Sequence, residues 1–288
     1  MKLQTTALFL FLFIGSTSAQ NQYSNSITQK EIKEHVYYLA SDELEGRDTG
    51  SEGQKKAAKY IVDEFKAYGL LPVNQDSENP YYQKFKYSFY PAETENVIGY
   101  VPADIKDAGW IVITAHYDHL GKKGTIIYNG ADDNASGTTA ILEIAEALSK
   151  AKEDGVKLNK NIMFIAFSAE EKGLIGSKHF CESEIADTLN MDLNINMDMI
   201  GRSVKYGLIE TFKEAENPDF KEDSTYHEDY VYLFRKGKNT RKYLKFSKKS
   251  GKKKKFKIDT HPGSIVRLVY KSSSDHKPFY DMGVPIMV

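Results

Sequence analysis

Apolar residues recur every three or four positions in two early stretches. Ile32, Val36 and Leu39, then Ala57, Ala58, Ile61, Val62 and Phe65, predict helices near 29–40 and 53–68. Gly69 closes the second, with Pro72 beyond it. Between them SDELEGRDTGSEG is turn chemistry. The period then changes. YQKFKYSFY and ENVIGYV, within 82–101, alternate as strands do, and GWIVITAH (109–116) is a short apolar run that predicts a central strand. NIMFIAF (161–167) and LNINMDMI (193–200) predict two more, and YVYLF (230–234) and VPIMV (284–288) a fourth and a fifth. Ser136 to Leu148 is amphipathic and helical, and Leu174 to Phe180 begins another helix. Buried strands alternating with helices predict a three-layer α/β/α fold with a mostly parallel, mixed central sheet.

Composition adds four constraints. A chain of 288 residues with 41% hydrophobic and 27% charged residues is an ordinary globular protein, most economically one folded unit. Its first 19 residues carry one lysine, an apolar run from Ala7 to Ile14 and small residues at Thr17 and Ala19, the layout of a signal peptide. That run is shorter than the ~20 residues a spanning helix needs, so export to the periplasm or beyond is expected, without stable membrane insertion. Cys181 is the only cysteine, which excludes an internal disulfide and a thiolate zinc site. Residues 235–257 hold 13 Lys or Arg and no acid, leaving 26 basic residues against 40 acids elsewhere. Their aromatics are too sparse for a stacking platform, so this run is expected to be a mobile surface insertion and no nucleic-acid partner is expected. The expected division is 1–19 as signal peptide, 20–94 as a helical segment with the first strands, and 95–288 as a domain that carries the basic insertion 235–257.

Chemistry in such folds gathers at the carboxyl ends of the strands. Those ends deliver His116 and Asp118 (TAHYDHLG), Asp132 and Asp133 (GADDNASG), Glu170 and Glu171 (SAEEKGLIGS), and Asp198 (NMDMIG). An imidazole and several carboxylates on one rim suit hard or borderline divalent ions such as Zn²⁺, Mn²⁺ or Co²⁺. Two ions sharing a carboxylate would let so many acids gather without mutual repulsion. One of the paired glutamates can then bind metal while its neighbour stays free as a general base. An EF-hand-like spacing from Asp132 to Glu143 is set aside, because GTIIYNG before it is strand-like where that motif needs a helix.

HYDHLG, GADDNASG, SAEEKGLIGS and NMDMIG, in this order, resemble the M28 family of zinc peptidases, mostly aminopeptidases, and residues 39–70 resemble the family's usual amino-terminal segment. The resemblance implies two divalent ions, most simply zinc, and a peptide substrate. It makes His116 a ligand and Asp118 the acid that orients it. Asp133 would bridge the ions, with a cis bond to Asn134. Glu171 and Asp198 would complete the ligands. Glu170 would be the general base, taking a proton from water and passing it to the leaving amine.

One departure accompanies the resemblance. The family's fifth ligand, a histidine after the last core strand, has no counterpart before Val288. The chain is therefore expected to be a truncated member with one weakened metal site and impaired activity. A non-catalytic peptide-binding relative, a carboxypeptidase and a glutaminyl cyclase stay open as alternatives. His119 is read as a loop or pocket-rim residue and His276 as a neighbour of the site that does not bind metal. His35, His179, His227 and His261 are read as surface positions.

Overall fold

The computed structural model describes residues 22–73, 78–86, 93–201, 230–232, 235–237, 240–254, 257–259 and 273–288. The expected signal peptide, His227 and His261 lie outside these residues. In chain order the elements are α1 (Gln29–Leu39), a 3-10 turn (Asp42–Arg47), α2 (Glu52–Ala67), β1 (Leu71–Pro72), β2 (Tyr82–Lys86), β3 (Glu93–Val101) and β4 (Trp110–His116). There follow β5 (Lys122–Lys123), β6 (Ile126–Ile127), α3 (Gly137–Glu153), β7 (Asn161–Phe167), α4 (Ile175–Cys181), α5 (Glu184–Asp187) and β8 (Met191–Asn196). The last are β9 (Tyr230–Tyr232), β10 (Arg235–Lys236), α6 (Thr240–Lys254), β11 (Lys257–Asp259), α7 (His276–Asp281) and β12 (Ile286–Met287).

Both early helices form where the periodicity places them, and their ends have local causes. At α1, Thr28 and Glu31 make a reciprocal capping box. α2 starts on the Ser51 hydroxyl, which accepts from the Gln54 amide. It stops at Gly69 (φ +72°), where Gly69 N–H reaches Lys66 O and Leu70 N–H reaches Phe65 O. That paired closure needs a left-handed residue, which glycine supplies at least cost.

The main sheet runs β1-β3-β7-β4-β8-β12-β10, with β2 beside β3. β7, β4, β8 and β12 are parallel; β3 and β10 flank them antiparallel. The period of two sorts each strand between the faces. From β7, Ile162, Phe164 and Ala166 join a core with Leu39 of α1, Ile61 and Phe65 of α2, and Ile141 and Leu142 of α3. Met163, Ile165 and Phe167 face the other way, onto Phe180 of α4 and Phe279 of α7. Phe167, Phe180 and Phe279 pack as a trio with ring centroids 5.7–6.1 Å apart. This is the expected three-layer α/β/α arrangement. The helices of residues 29–67 share the first core, so the amino-terminal segment packs with the rest of the fold.

Three expectations need correction. Of YVYLF, the described residues Tyr230–Tyr232 pair with Lys257–Asp259 in a two-stranded sheet apart from the main one. The basic run, expected as a mobile surface insertion, carries regular structure in its described parts. Arg235–Lys236 pairs with β12 at the sheet edge, and Thr240–Lys254 is helical, in keeping with the good helix propensity of lysine and arginine. His35 is buried, not superficial, with Nδ1 2.7 Å from the Tyr60 hydroxyl. His179 is half-buried and stacks on Phe85 at 4.8 Å.

Candidate metal centre

β4, β7 and β8 end side by side, and their register decides which side chains meet. His116 and Phe167 are paired across β4 and β7, so the residues just beyond them share one rim. β8 ends at Asn196, two residues short of Asp198. The loop carrying Asp198 is held by the GADDNAS segment: Asn134 Nδ2 donates to Met197 O, Ile200 N–H to Ser136 Oγ, and Gly201 N–H to Asp132 Oδ1 (2.8 Å). Asp132 is thereby occupied as a loop clasp. Asp133 instead projects to the rim, with Oδ1 3.2 Å from His116 Nε2. That separates the two aspartates the sequence left as alternatives. The Asp133–Asn134 peptide bond is cis.

The rim holds two clusters, each offering three ligand atoms within 4.8 Å of one another: His116, Glu170 and Asp198 in one, His119, Asp133 and Glu171 in the other. His116 Nε2 lies 3.5 Å from Asp198 Oδ1 as well as 3.2 Å from Asp133, so Asp133 stands between the clusters. Asp198 Oδ1 is buried and makes no hydrogen bond. An orphaned carboxylate oxygen facing an imidazole nitrogen across 3.5 Å fits a cation. These residues could hold two divalent ions, with three ligand atoms for each.

Burial lowers the His116 pKa, but the carboxylates of Asp198, Asp133 and Glu170 outweigh it and hold the group well above its ordinary value. Burial pushes Glu170 up to about 9, with Asp275, Asp198 and Asp118 adding to the rise. Asp198 is lowered despite its burial, because His116 and the Ser274 hydroxyl stabilise its charge. The acids of this rim carry a surplus of negative charge that a cation would relieve.

The resemblance implies that the Asp118 carboxylate orients His116. The geometry is different. His116 Nδ1 faces the main-chain oxygen of Asp118 at 3.2 Å, and the nearest carboxylate oxygen lies at 3.8 Å. The Asp118 carboxylate instead accepts from the Glu170 amide (3.1 Å) and from Thr49 Oγ1 (2.9 Å). It therefore fixes the turn that carries the paired glutamates.

Three contributors were not legible beforehand. His119, a loop or pocket-rim residue by sequence, has Nδ1 2.8 Å from Glu171 Oε1 and belongs to the second cluster. Its signal was its place three residues after His116 in HYDHLG. Ser274 donates to Asp198 Oδ2 at 2.6 Å and ends a directed chain. Asn194 Nδ2 donates to Thr114 Oγ1, Thr114 to Asn196 Oδ1, and Asn196 Nδ2 to Ser274 Oγ. The buried asparagines of LNIN are the trace of this chain in the sequence. Arg47, within the turn segment SDELEGRDTGSEG, is fully buried beneath the rim. His276 is fully buried and stands in neither cluster.

Imidazole and carboxylate clusters at the carboxyl rim of a parallel sheet, flanked by helices on both faces, are the arrangement of metal-dependent exopeptidases. Comparison with known sequences agrees: Peptidase family M28 matches residues 96–288, and the chain belongs to that family. Aminopeptidase YwaD of Bacillus subtilis is 38% identical over 118 residues, covering 40% of this chain and 24% of that protein. A glutamate carboxypeptidase 2 homolog of Caenorhabditis elegans is 30% identical over 210 residues, 67% of this chain and 23% of the relative. The chain thus spans about a quarter of the length of these curated relatives. Among solved structures, the Legionella pneumophila LapA aminopeptidase shares the fold with a TM-score of 0.63 at 20% identity, covering 93% of this chain and 62% of that one. A leucine aminopeptidase precursor from Bacteroides thetaiotaomicron does so at 0.56 and 17%, covering 88% and 81%.

Proposed function

We propose that this protein is a zinc-dependent exopeptidase that removes amino-terminal residues from peptides, and that it acts outside the cytoplasm. The observation that carries the reading is the meeting of His116, Asp133, Asp198 and Glu171 around positions suited to cations, with Glu170 beside them. Family membership supports the reaction class, and the aminopeptidase names among its relatives support the direction of attack. The leader-like first 19 residues support export.

The chain's own groups have distinct tasks. His116, Asp133 and Asp198 would hold one ion, and Asp133, Glu171 and His119 the other. When bound, such ions supply an acidified water and a polarised carbonyl. Glu170 stands at the rim as the proton acceptor, and its carboxylic acid then protonates the departing amine. Asp118 keeps Glu170 in place through the Glu170 amide. The His119 cluster is the candidate for weaker binding, since its imidazole sits on a loop beyond β4 while His116 ends the strand itself.

The test uses the zinc-loaded protein with leucine p-nitroanilide, an N-acetylated peptide and the same peptide with a free amine. Release from the two free-amine substrates alone is expected. Carboxyl-terminal release from the blocked peptide would move the assignment to a carboxypeptidase. Zinc binding with no turnover of any substrate would leave a peptide-binding relative.

A further inference from the structure

We propose that the segment Gly46–Thr49, upstream of residues 96–288, is a working part of the metal centre, with Arg47 as a positioning residue that clamps both ligand loops together. The proposal rests on the reading of the rim as a metal site.

Arg47 Nε donates to Tyr117 O at 2.7 Å, between His116 and Asp118. Nη1 donates to Leu39 O and to Asn129 O (2.8 Å), and Nη2 to Gly130 O (3.0 Å), just before Asp132 and Asp133. One planar group thus joins the strand end that bears His116, the loop that bears Asp133 and the end of α1. A guanidinium suits this task because its donors form a rigid planar fork, which lysine lacks.

Its choice of partners is informative. A buried cation costs several kcal/mol unless it is well hydrogen-bonded, and the nearest answer would be an ion pair with one of the acids. The Arg47 hydrogen bonds go to neutral carbonyls instead. Asp118, Asp133 and Glu171 act on it only through their charge, against burial, which lowers its pKa to about 10. Arg47 therefore offsets part of the rim's negative charge while leaving the ligand oxygens open to a metal ion.

The neighbours of Arg47 extend the clamp. Thr49 donates to Asp118 Oδ2 (2.9 Å), and Asp118 in turn accepts from the Glu170 amide. Asp48 pairs with Lys172 at 2.7 Å, directly after the two glutamates. Arg47 O accepts from His119 N–H, and Gly46 O from Gly121 N–H. So tight an approach explains Gly46: a Cβ there would lie 2.3 Å from Gly121 O and 2.5 Å from Tyr128 O. Arg47 itself is held at φ +50°, a conformation disfavoured for a side chain of its size.

Zinc affinity, measured by chelator competition, tests the clamp without reference to hydrolysis. Arg47→Met and Thr49→Val are compared with wild type and with Leu44→Ala, a core truncation on the same 3-10 turn. Both clamp variants should bind zinc about ten- to a hundredfold more weakly, the scale for groups that orient ligands, while Leu44→Ala loses melting temperature and keeps its affinity. Millimolar ethylguanidinium should restore zinc affinity to Arg47→Ala. Affinities within twofold of wild type in Thr49→Val and in whichever Arg47 variants fold would overturn the clamp alone. So would an equal loss in Leu44→Ala. Wild-type protein that binds no zinc would overturn the rim reading with it.

Discussion

Glu170 and Glu171 are adjacent, yet the fold gives them different company: Glu170 lies with His116 and Asp198, Glu171 with His119 and Asp133. Replacing Glu170 by Gln keeps the shape and removes the base. Turnover is expected to fall by ~10²–10⁴ while zinc content, measured by elemental analysis, is retained. Equal loss of zinc would make Glu170 chiefly a ligand. Ser274 is the complementary case, a residue that reaches the site only through a ligand. Ser274→Ala leaves Asp198 Oδ2 without its 2.6 Å donor, so zinc affinity by chelator competition should weaken about 10–100-fold. An unchanged affinity would show that Asp198 needs no such support.

At the scale of elements, strands that bury both faces announced themselves, and so did helices with one apolar stripe. Phe167 and Phe180 lie in two separate predicted segments and Phe279 in none, and the fold brings the three together on the second face. Phe180→Ala should cost about 3–5 kcal/mol of unfolding free energy in a urea titration. A loss under 1 kcal/mol would mean that α4 does not close this face. What the sequence hid were interactions between elements. LNINMDMI reads as one strand, yet it stops at Asn196, because Asn134, Ser136 and Asp132 capture the backbone of residues 197–201. Those bonds join positions more than 60 residues apart, which no local period records. Arg47 was hidden for the same reason. Its partners lie at 39, 117, 129 and 130, and only the fold makes them one site. Three of the four rim motifs were legible because each sits at the end of a central strand, where the chain must leave the sheet. His119 was not, because a second imidazole in a loop has no periodicity to mark it.

For the whole molecule, buried acids tie stability to pH. Burial pushes Glu143 of α3 up to about 7 from 4.5, and Glu31, Glu146 and Glu64 add to the rise. Its neutral form is thus the one that folding favours. The stability it contributes is full below about pH 4.5 and is lost as the pH rises through 7. His35, packed 3.7 Å from Glu143, is lowered by burial and works in the opposite sense. The difference between wild type and Glu143→Gln removes most of that common background. The variant should gain on wild type between pH 5 and 7.5 by about 2 kcal/mol, read from urea midpoints at each pH. A constant difference would place the titration elsewhere.

Zinc soaked into crystals, located by anomalous scattering, measures the account's central claim most directly. Two peaks are expected on the carboxyl rim of the sheet, one among His116, Asp133 and Asp198 and the other among Asp133, Glu171 and His119. The peak on the His119 side should have the lower occupancy. Density at neither position, with zinc held elsewhere or not at all, would contradict the metal centre and the peptidase reading built on it.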